Sequence, residues 1–348
     1  MREAIETNGL GKHFGEVKAV SGLSLSVRRG EIYAFLGLNG AGKTTTIRML
    51  LGMAAPSAGE AQVRGSPVGH RSVRGGIRAS RPWDRVGYLV ETPHAYPQLT
   101  VEENLEAMRR LRPGIERAAV QRVMRDLALE AYAHRPAGRL SLGNAQRLGL
   151  AKALMHKPEL LILDEPANAL DPAGIVEVRE LLIDLAARRG VTVFISSHIL
   201  GEVSRLADRI GIIHEGELIQ ELDAAELARK RLRRLVCRTR DAEAAHRVLA
   251  GAGFHPEPVT GSGAGAHAQG RGRHPTASDT PQGYSQGLAL RDRDAIERPE
   301  RIARILVEAG QDPSMLVVEE EDLEHYFLRL IGAESERPKW DRSGRQHA

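Results

Sequence analysis

Five apolar residues, Ile32 to Leu36, run directly into Gly37-Leu38-Asn39-Gly40-Ala41-Gly42-Lys43-Thr44, and Lys43 to Leu51 then reads as a helix. The octapeptide fits G-x-x-x-x-G-K-[ST], and a strand before it with a helix after it is the context that gives the pattern meaning. A tight glycine-rich turn at a helix start presents backbone N–H groups and the partial positive charge of the helix N-terminus to phosphate, and side chains there would obstruct the cradle. Lys43 is then placed to neutralise β- and γ-phosphate oxygens, the Thr44 hydroxyl to coordinate Mg²⁺ and Thr45 to support the phosphates.

Up to about Glu221, short β-rich runs alternate with helical patterns, which predicts βαβ units and a largely parallel sheet. Leu23, Leu25 and Val27 alternate with polar neighbours as a half-buried strand does, whereas Leu160 to Leu163 and Val191 to Ser196 read as fully buried strands. Between the last two, Val178, Leu181, Leu182 and Leu185 recur at helical spacing. Thr100 with Glu103 forms a capping-box signature, and Leu105, Met108 and Leu111 follow at helical spacing, which predicts a helical insert over about 96–155.

Beyond Glu221 the character changes. Basic Arg229, Lys230, Arg231, Arg233 and Arg234 precede a strand around Leu235 to Cys237, so the first domain is expected over 1–221 and an accessory domain over 222–348. Residues 259–287 are rich in glycine, serine and histidine and lack bulky aliphatics, which predicts a flexible loop; His267 and His274 within it and His255 just before it read as solvated rather than metal-binding. Order returns with Ile302, Ile305 and Leu306, then Met315 to Val318, then the helical spacing of Leu323, Tyr326, Phe327 and Leu330.

Composition narrows the class. With 42% hydrophobic and 27% charged residues in a chain of 348, disorder and fibrous architectures are disfavoured. The longest charge-free apolar stretch, Gly190 to Gly201, is 12 residues, against the roughly 20 that a spanning helix needs. The single cysteine, Cys237, excludes an internal disulfide framework and fits a reducing compartment, and the acidic N-terminal residues do not read as an export signal. The 49 basic and 45 acidic side chains are interspersed, so no nucleic-acid partner is expected.

Leu160 to Leu163 ends in Asp164-Glu165, the complement that a phosphate loop needs. Asp164 is expected to hold the Mg²⁺ shell and Glu165 to orient and polarise an attacking water. Shortly before this strand, Leu140-Ser141-Leu142-Gly143-Asn144-Ala145-Gln146-Arg147 resembles the signature motif of ATP-binding cassette (ABC) ATPases. Phe14 sits where that family carries an adenine-stacking aromatic, Ala169-Leu170-Asp171 resembles its D-loop and Ser196-Ser197-His198 its switch histidine, six motifs in order over roughly residues 1 to 221.

The resemblance implies an α/β fold: a P-loop NTPase (RecA-like) core with an antiparallel β subdomain and a helical signature subdomain, plus a small α+β C-terminal domain. It implies ATP held by Phe14, Gly37, Asn39, Gly40, Ala41, Gly42, Lys43, Thr44 and Thr45, with Ser141, Gly143 and Asp171 as further nucleotide contacts. His198 would sense the γ-phosphate, and Lys43, Glu165 and His198 form the expected catalytic set. Two cassettes, most simply a homodimer, would pair head-to-tail, and a separate integral membrane permease would keep the chain cytoplasmic but peripheral on the inner face of the membrane.

Departures from the family pattern refine this. Glu91 stands where most of these ATPases carry glutamine, and its carboxylate beside Mg²⁺ either strengthens metal binding or repels the γ-phosphate. Glu91-Thr92-Pro93, Leu142 in place of the first signature glycine and the segment Asp322 to Leu330 resemble the ATPase subunits of exporters that give self-resistance to bacitracin and lantibiotics. Leu38 replaces a usual proline and Ala169 a usual glycine. The expectation is therefore an ATPase that powers export of a drug, antibiotic or peptide. An importer subunit and a non-transport ABC ATPase acting on ribosomes or DNA are the alternatives, while a P-loop kinase or GTPase is rejected by the signature segment.

Overall fold

The computed structural model describes residues 3–68, 82–91, 93–198, 201, 206–259 and 287–332. They fall into two compact units, Met1–Ala228 and Arg229–Ala348, each built around its own apolar core.

In the first unit, the run before the glycine-rich turn is β3 (Ile32–Leu36), buried at every position, as a central parallel strand covered on both faces must be. It lies between β8 (Thr192–Ser197) and β9 (Arg209–His214), and the sheet extends through β7 (Leu160–Asp164) to β6 (Val86–Leu89) on one side and to β10 (Glu217–Asp223) on the other. All neighbours are parallel except β10, which returns antiparallel along β9. Parallel strands bring their carboxyl ends to one edge, so Leu36, Leu89, Asp164 and Ser197 leave the sheet together, with Leu36 beside Ser197 and Asp164 beside Ser196.

A second, antiparallel sheet has the order β2 (Val17–Val27), β1 (Ile5–Phe14), β4 (Ala58–Val63), β5 (Ser66–Val68). Leu23, Leu25 and Val27 are buried and Ser24 is exposed, the alternation of a strand with one face on the core. The helical insert contains α2 (Val101–Leu111), α3 (Ala118–Asp126) and α4 (Leu142–Leu154), while α1 (Lys43–Leu50) touches β7 of the main sheet and β2 and β4 of the antiparallel sheet described above, and α5 (Pro172–Arg189) packs on β8. The capping box of α2 forms in full: Glu103 N donates to Thr100 Oγ1 at 3.2 Å and Thr100 N to Glu103 Oε2 at 2.7 Å. That backbone hydrogen bond holds the Glu103 carboxyl below its ordinary range. Leu105 is buried, but Leu111 ends the helix 72% exposed, because the apolar stripe has rotated off the core by the last turn.

The second unit follows α6 (Ala224–Lys230), which spans the boundary. It runs β11 (Arg233–Arg238), α7 (Ala242–Gly251), β12 (Glu257–Val259), β13 (Gly287–Leu290), α8 (Arg293–Glu297), α9 (Pro299–Glu308), β14 (Met315–Glu320) and α10 (Leu323–Leu330). The sheet order β12-β13-β11-β14, antiparallel throughout, is a ferredoxin-like split βαβ arrangement. Leu235, Cys237, Leu288 and Leu290 pack against Ala245, Leu249, Ile302 and Leu306.

The basic run finds its partners here: Arg233 faces Glu320 at 3.2 Å and Arg234 faces Glu319 at 2.6 Å across the β11–β14 pairing. Arg329 of α10 places both an Nε and an Nη2 contact on buried Glu321, at 2.9 and 2.8 Å, which ties the C-terminal helix to this sheet. His255, expected to be solvated, directs Nδ1 to Asp292 Oδ1 at 2.9 Å. Val259 and Gly287 pair with one another in β12 and β13; the expected loop between them, with His267 and His274, lies outside the described residues, as does Thr92.

Candidate active site

The glycine-rich turn leaves no space for larger residues where it is hemmed in. A Cβ on Gly42, whose φ is +105°, would fall 2.5 Å from the Ala19 carbonyl of β2, and one on Gly37 would fall 2.5 Å from the Ile213 carbonyl of β9. The turn is thus clamped between the two sheets while Asn39 and Gly40 face solvent and Thr45 is half-buried. Lys43 is 6% exposed, and its Nζ donates to Gly37 O at 2.7 Å and Leu38 O at 3.2 Å, curling the cation over its own loop. This is a cradle for polyphosphate: a glycine-rich turn at a helix N-terminus with one buried ammonium.

The acidic strand meets this loop directly. Thr44 Oγ1 donates to Asp164 Oδ2 at 2.7 Å, which joins α1 to the end of β7 with two of the three side chains chosen from sequence for Mg²⁺, the third being Glu91. A hydroxyl and a carboxylate, the latter 2% exposed, are hard ligands of the kind Mg²⁺ takes, so the residues present fit the ion. Among the described residues no cluster of three or more histidine, cysteine, aspartate or glutamate side chains offers a separate metal site.

Glu165, one residue further, sits at φ +50°, a left-handed conformation that a non-glycine residue holds only under constraint. Its Oε1 lies 3.5 Å from Lys43 Nζ, and its Oε2 receives His198 Nδ1 at 2.7 Å and His198 N at 3.2 Å. An ionised carboxylate only accepts, so His198 donates from Nδ1 and keeps Nε2 as its second functional atom. The three residues chosen as the catalytic set are therefore joined through Glu165, which contacts both of the others.

Two further residues hold this group and were not assigned roles from sequence. Ser196, fully buried in β8, donates to Asp164 Oδ1 and accepts from Glu165 N at 3.1 Å, so one hydroxyl fixes both acids. Gln146, buried in α4, donates from Nε2 to the Glu165 carbonyl at 3.1 Å. It links the signature helix to the acidic residue. A buried serine and a glutamine late in the signature were the only traces in sequence.

The remaining expected residues surround this centre at greater remove. Phe14 is 54% exposed at the tip of the β1–β2 hairpin, with Lys12 Nζ 5.1 Å from its ring centroid, and the same hairpin supplies the Ala19 carbonyl beside Gly42. Ser141 caps α4 by accepting from Asn144 N at 3.3 Å, while Leu142 is 60% exposed. Asp171 caps α5 by accepting from Gly174 N at 3.1 Å. Gly143 lies against the turn before that cap, since a Cβ there would come 3.1 Å from the Ala169 carbonyl. Ala169 itself holds φ +64°, which is why glycine is the usual residue; the methyl group costs about 1 kcal/mol in that conformation. Glu91 pairs its carboxylate with Arg48 Nη2 at 2.7 Å.

A strand-clamped phosphate loop, a paired threonine and aspartate, and a glutamate held between lysine and histidine define a P-loop nucleotide hydrolase. Comparison with known proteins narrows this class. Residues 20–168 match the ABC transporter family. The chain is 37% identical over 334 residues, 95% of its length and 98% of the relative's, to the bacitracin transport ATP-binding protein BcrA of Bacillus licheniformis. It is 35% identical over 224 residues, 64% of its length and 93% of the relative's, to the lantibiotic transport ATP-binding protein SrtF of Streptococcus pyogenes. A solved structure of an ATP-binding subunit of an ABC transporter superposes with TM-score 0.57 at 28% identity, over 65% of this chain and 92% of that one. The protein belongs to the ABC transporter ATP-binding subunits, and it is an ATPase with the expected P-loop NTPase fold.

Proposed function

We propose that this subunit powers the export of an antibiotic or peptide through a separate membrane permease, working as a dimer of cassettes at the inner face of the membrane. The observation that carries the reading is the extent of the likeness to BcrA: it spans both units, including the split βαβ domain, where the lantibiotic relative matches 64% of the chain. Among the described residues no helix is long and apolar enough to cross a membrane, so a spanning pathway must come from a partner. In the first unit, a groove of about 440 Å³ lined by Glu91, Tyr88, Tyr96, Met108 and Leu111, with Met53 at its rim, offers exposed apolar surface suited to such a partner.

In the proposed reaction the glycine-rich turn and Lys43 receive the β- and γ-phosphates, and the exposed ring of Phe14 stacks on adenine. Thr44 and Asp164 hold Mg²⁺, which when bound offsets phosphate charge. Glu165 Oε1 and Oε2 orient the water that attacks the γ-phosphorus in line and accept its proton, while His198 keeps the carboxylate aimed through its Nδ1–H and, with both ring nitrogens protonated, donates Nε2–H to the γ-phosphate. Ser141 and Gly143, on an exposed helix start, and Asp171 then complete the site of the opposing cassette.

The test is affinity purification of Glu165→Gln with Mg-ATP from gently solubilised native membranes. Recovery of a multi-span permease with two copies of this chain is the expected result. Recovery of ribosomes or DNA-bound proteins without a membrane partner would overturn the transport reading and keep the ATPase chemistry.

A further inference from the structure

Glu91 brings a carboxylate to a place where the family resemblance implies a neutral amide in most cassettes, and the sheet register carries that place to the strand edge that bears Asp164. β6 and β7 are parallel neighbours with Leu89 opposite Leu163, so Val90 and Glu91 leave the sheet alongside Asp164 and Glu165. Glu91 and Glu165 both turn through the left-handed region, at φ +54° and +50°. Arg48 follows Thr44 by four residues on α1, hence on the same helix face and about 6 Å further along the axis. The residue that makes the 2.7 Å contact to Glu91 is therefore rooted one helical turn from Thr44.

The loop is held from its other end by the helical insert. Lys152 Nζ of α4 donates to His94 O at 2.9 Å, and Asn104 of α2 accepts from Tyr96 N at 2.9 Å and donates to Tyr96 O at 3.0 Å. Glu91 thus has little freedom to retreat from the site as a whole segment. With Mg²⁺ bound a triphosphate keeps about two negative charges, and an uncompensated, half-exposed carboxylate about a helical turn away, screened by water at a dielectric near 80, weakens its binding by roughly tenfold. The guanidinium is 45% exposed and the carboxylate 51%, so their pairing adds little to folding; its effect falls on whatever anion binds next to them.

We propose that Arg48 is a positioning residue for nucleotide binding, which holds the Glu91 carboxylate and compensates its charge so that a glutamate is tolerated beside the phosphate cradle. The inference rests on the assignment of the phosphate site made above. Equilibrium binding of a fluorescent, slowly hydrolysed ATP analogue to the full chain with Mg²⁺ tests it in the native protein, Arg48→Met, Glu91→Gln, the double variant and Arg48→Lys, with the melting temperature of each verifying that it is folded. Arg48→Met is expected to weaken binding about tenfold in the native background and less than about threefold in the Glu91→Gln background. Arg48→Lys, which keeps the charge, should stay within about threefold of native, and the coupling should shrink at about 1 M salt. Equal losses in both backgrounds, or no loss on Arg48→Met alone, would overturn the proposal. Lys43→Ala measured alongside should abolish binding; retained binding there would overturn the phosphate-site assignment, and this proposal with it.

Discussion

Replacing Glu165 with glutamine should cut Mg-ATP hydrolysis at least about a hundredfold, the usual scale for losing a positioned base, while leaving ATP binding intact. Glutamine is isosteric, so its amide oxygen can still accept from His198 N, now 3.2 Å from Glu165 Oε2. What disappears is the ability to take a proton, and the negative charge that lies 3.5 Å from Lys43 Nζ. Lys43 then gives its charge wholly to phosphate. Steady-state hydrolysis and nucleotide binding, measured on the same preparation, separate the two effects. Near-native turnover in this variant would move the base elsewhere, with His198 the next group to examine.

The second large effect concerns whether one chain completes the site of another. Lys43→Ala removes the buried cation of the phosphate loop, and Ser141→Arg fills the exposed start of α4 with a bulky charge; each variant alone should hydrolyse ATP at least about a hundredfold more slowly than native. Mixed, they should recover hydrolysis. In a head-to-tail dimer one of the two sites then combines an intact phosphate loop with an intact signature helix. Size-exclusion chromatography with ATP reports whether mixed dimers form. Mixed dimers without recovered hydrolysis would sink the shared-site reading.

The parts of this site that were legible in sequence are those encoded by neighbours along the chain. The phosphate loop, the apolar strand ending in Asp164-Glu165 and the capping box at Thr100 each occupy fewer than a dozen consecutive residues, and all three form as read. Ser196, Gln146 and Arg48 were not legible as site residues because their partners stand 32, 19 and 43 positions away. Strand register decides the first of these contacts and the packing of α4 and α1 the other two, and both are properties of the assembled fold. The basic run is a similar case: Arg234 looks like a solvated surface cation until β14 brings Glu319 across from it, 85 positions on. The topology of the second unit was illegible for a further reason. Its β12 is three residues long and β13 four, too short for alternation to register, and a 27-residue stretch of chain separates them.

The lone thiol of Cys237 has a use unconnected with nucleotide. It lies on β11 with no exposed surface, beneath α7 and α9, and burial pushes it up to about 11, so at neutral pH it is both inaccessible and protonated. Every molecule that reacts with an alkylating reagent has therefore first opened this sheet. With no second cysteine in the chain to blur the signal, the labelling half-life becomes an intrinsic clock for the breathing of the accessory domain. Run with and without ATP, that clock reads whether occupancy of a site in one domain is felt as rigidity in the other, and it requires no engineered probe.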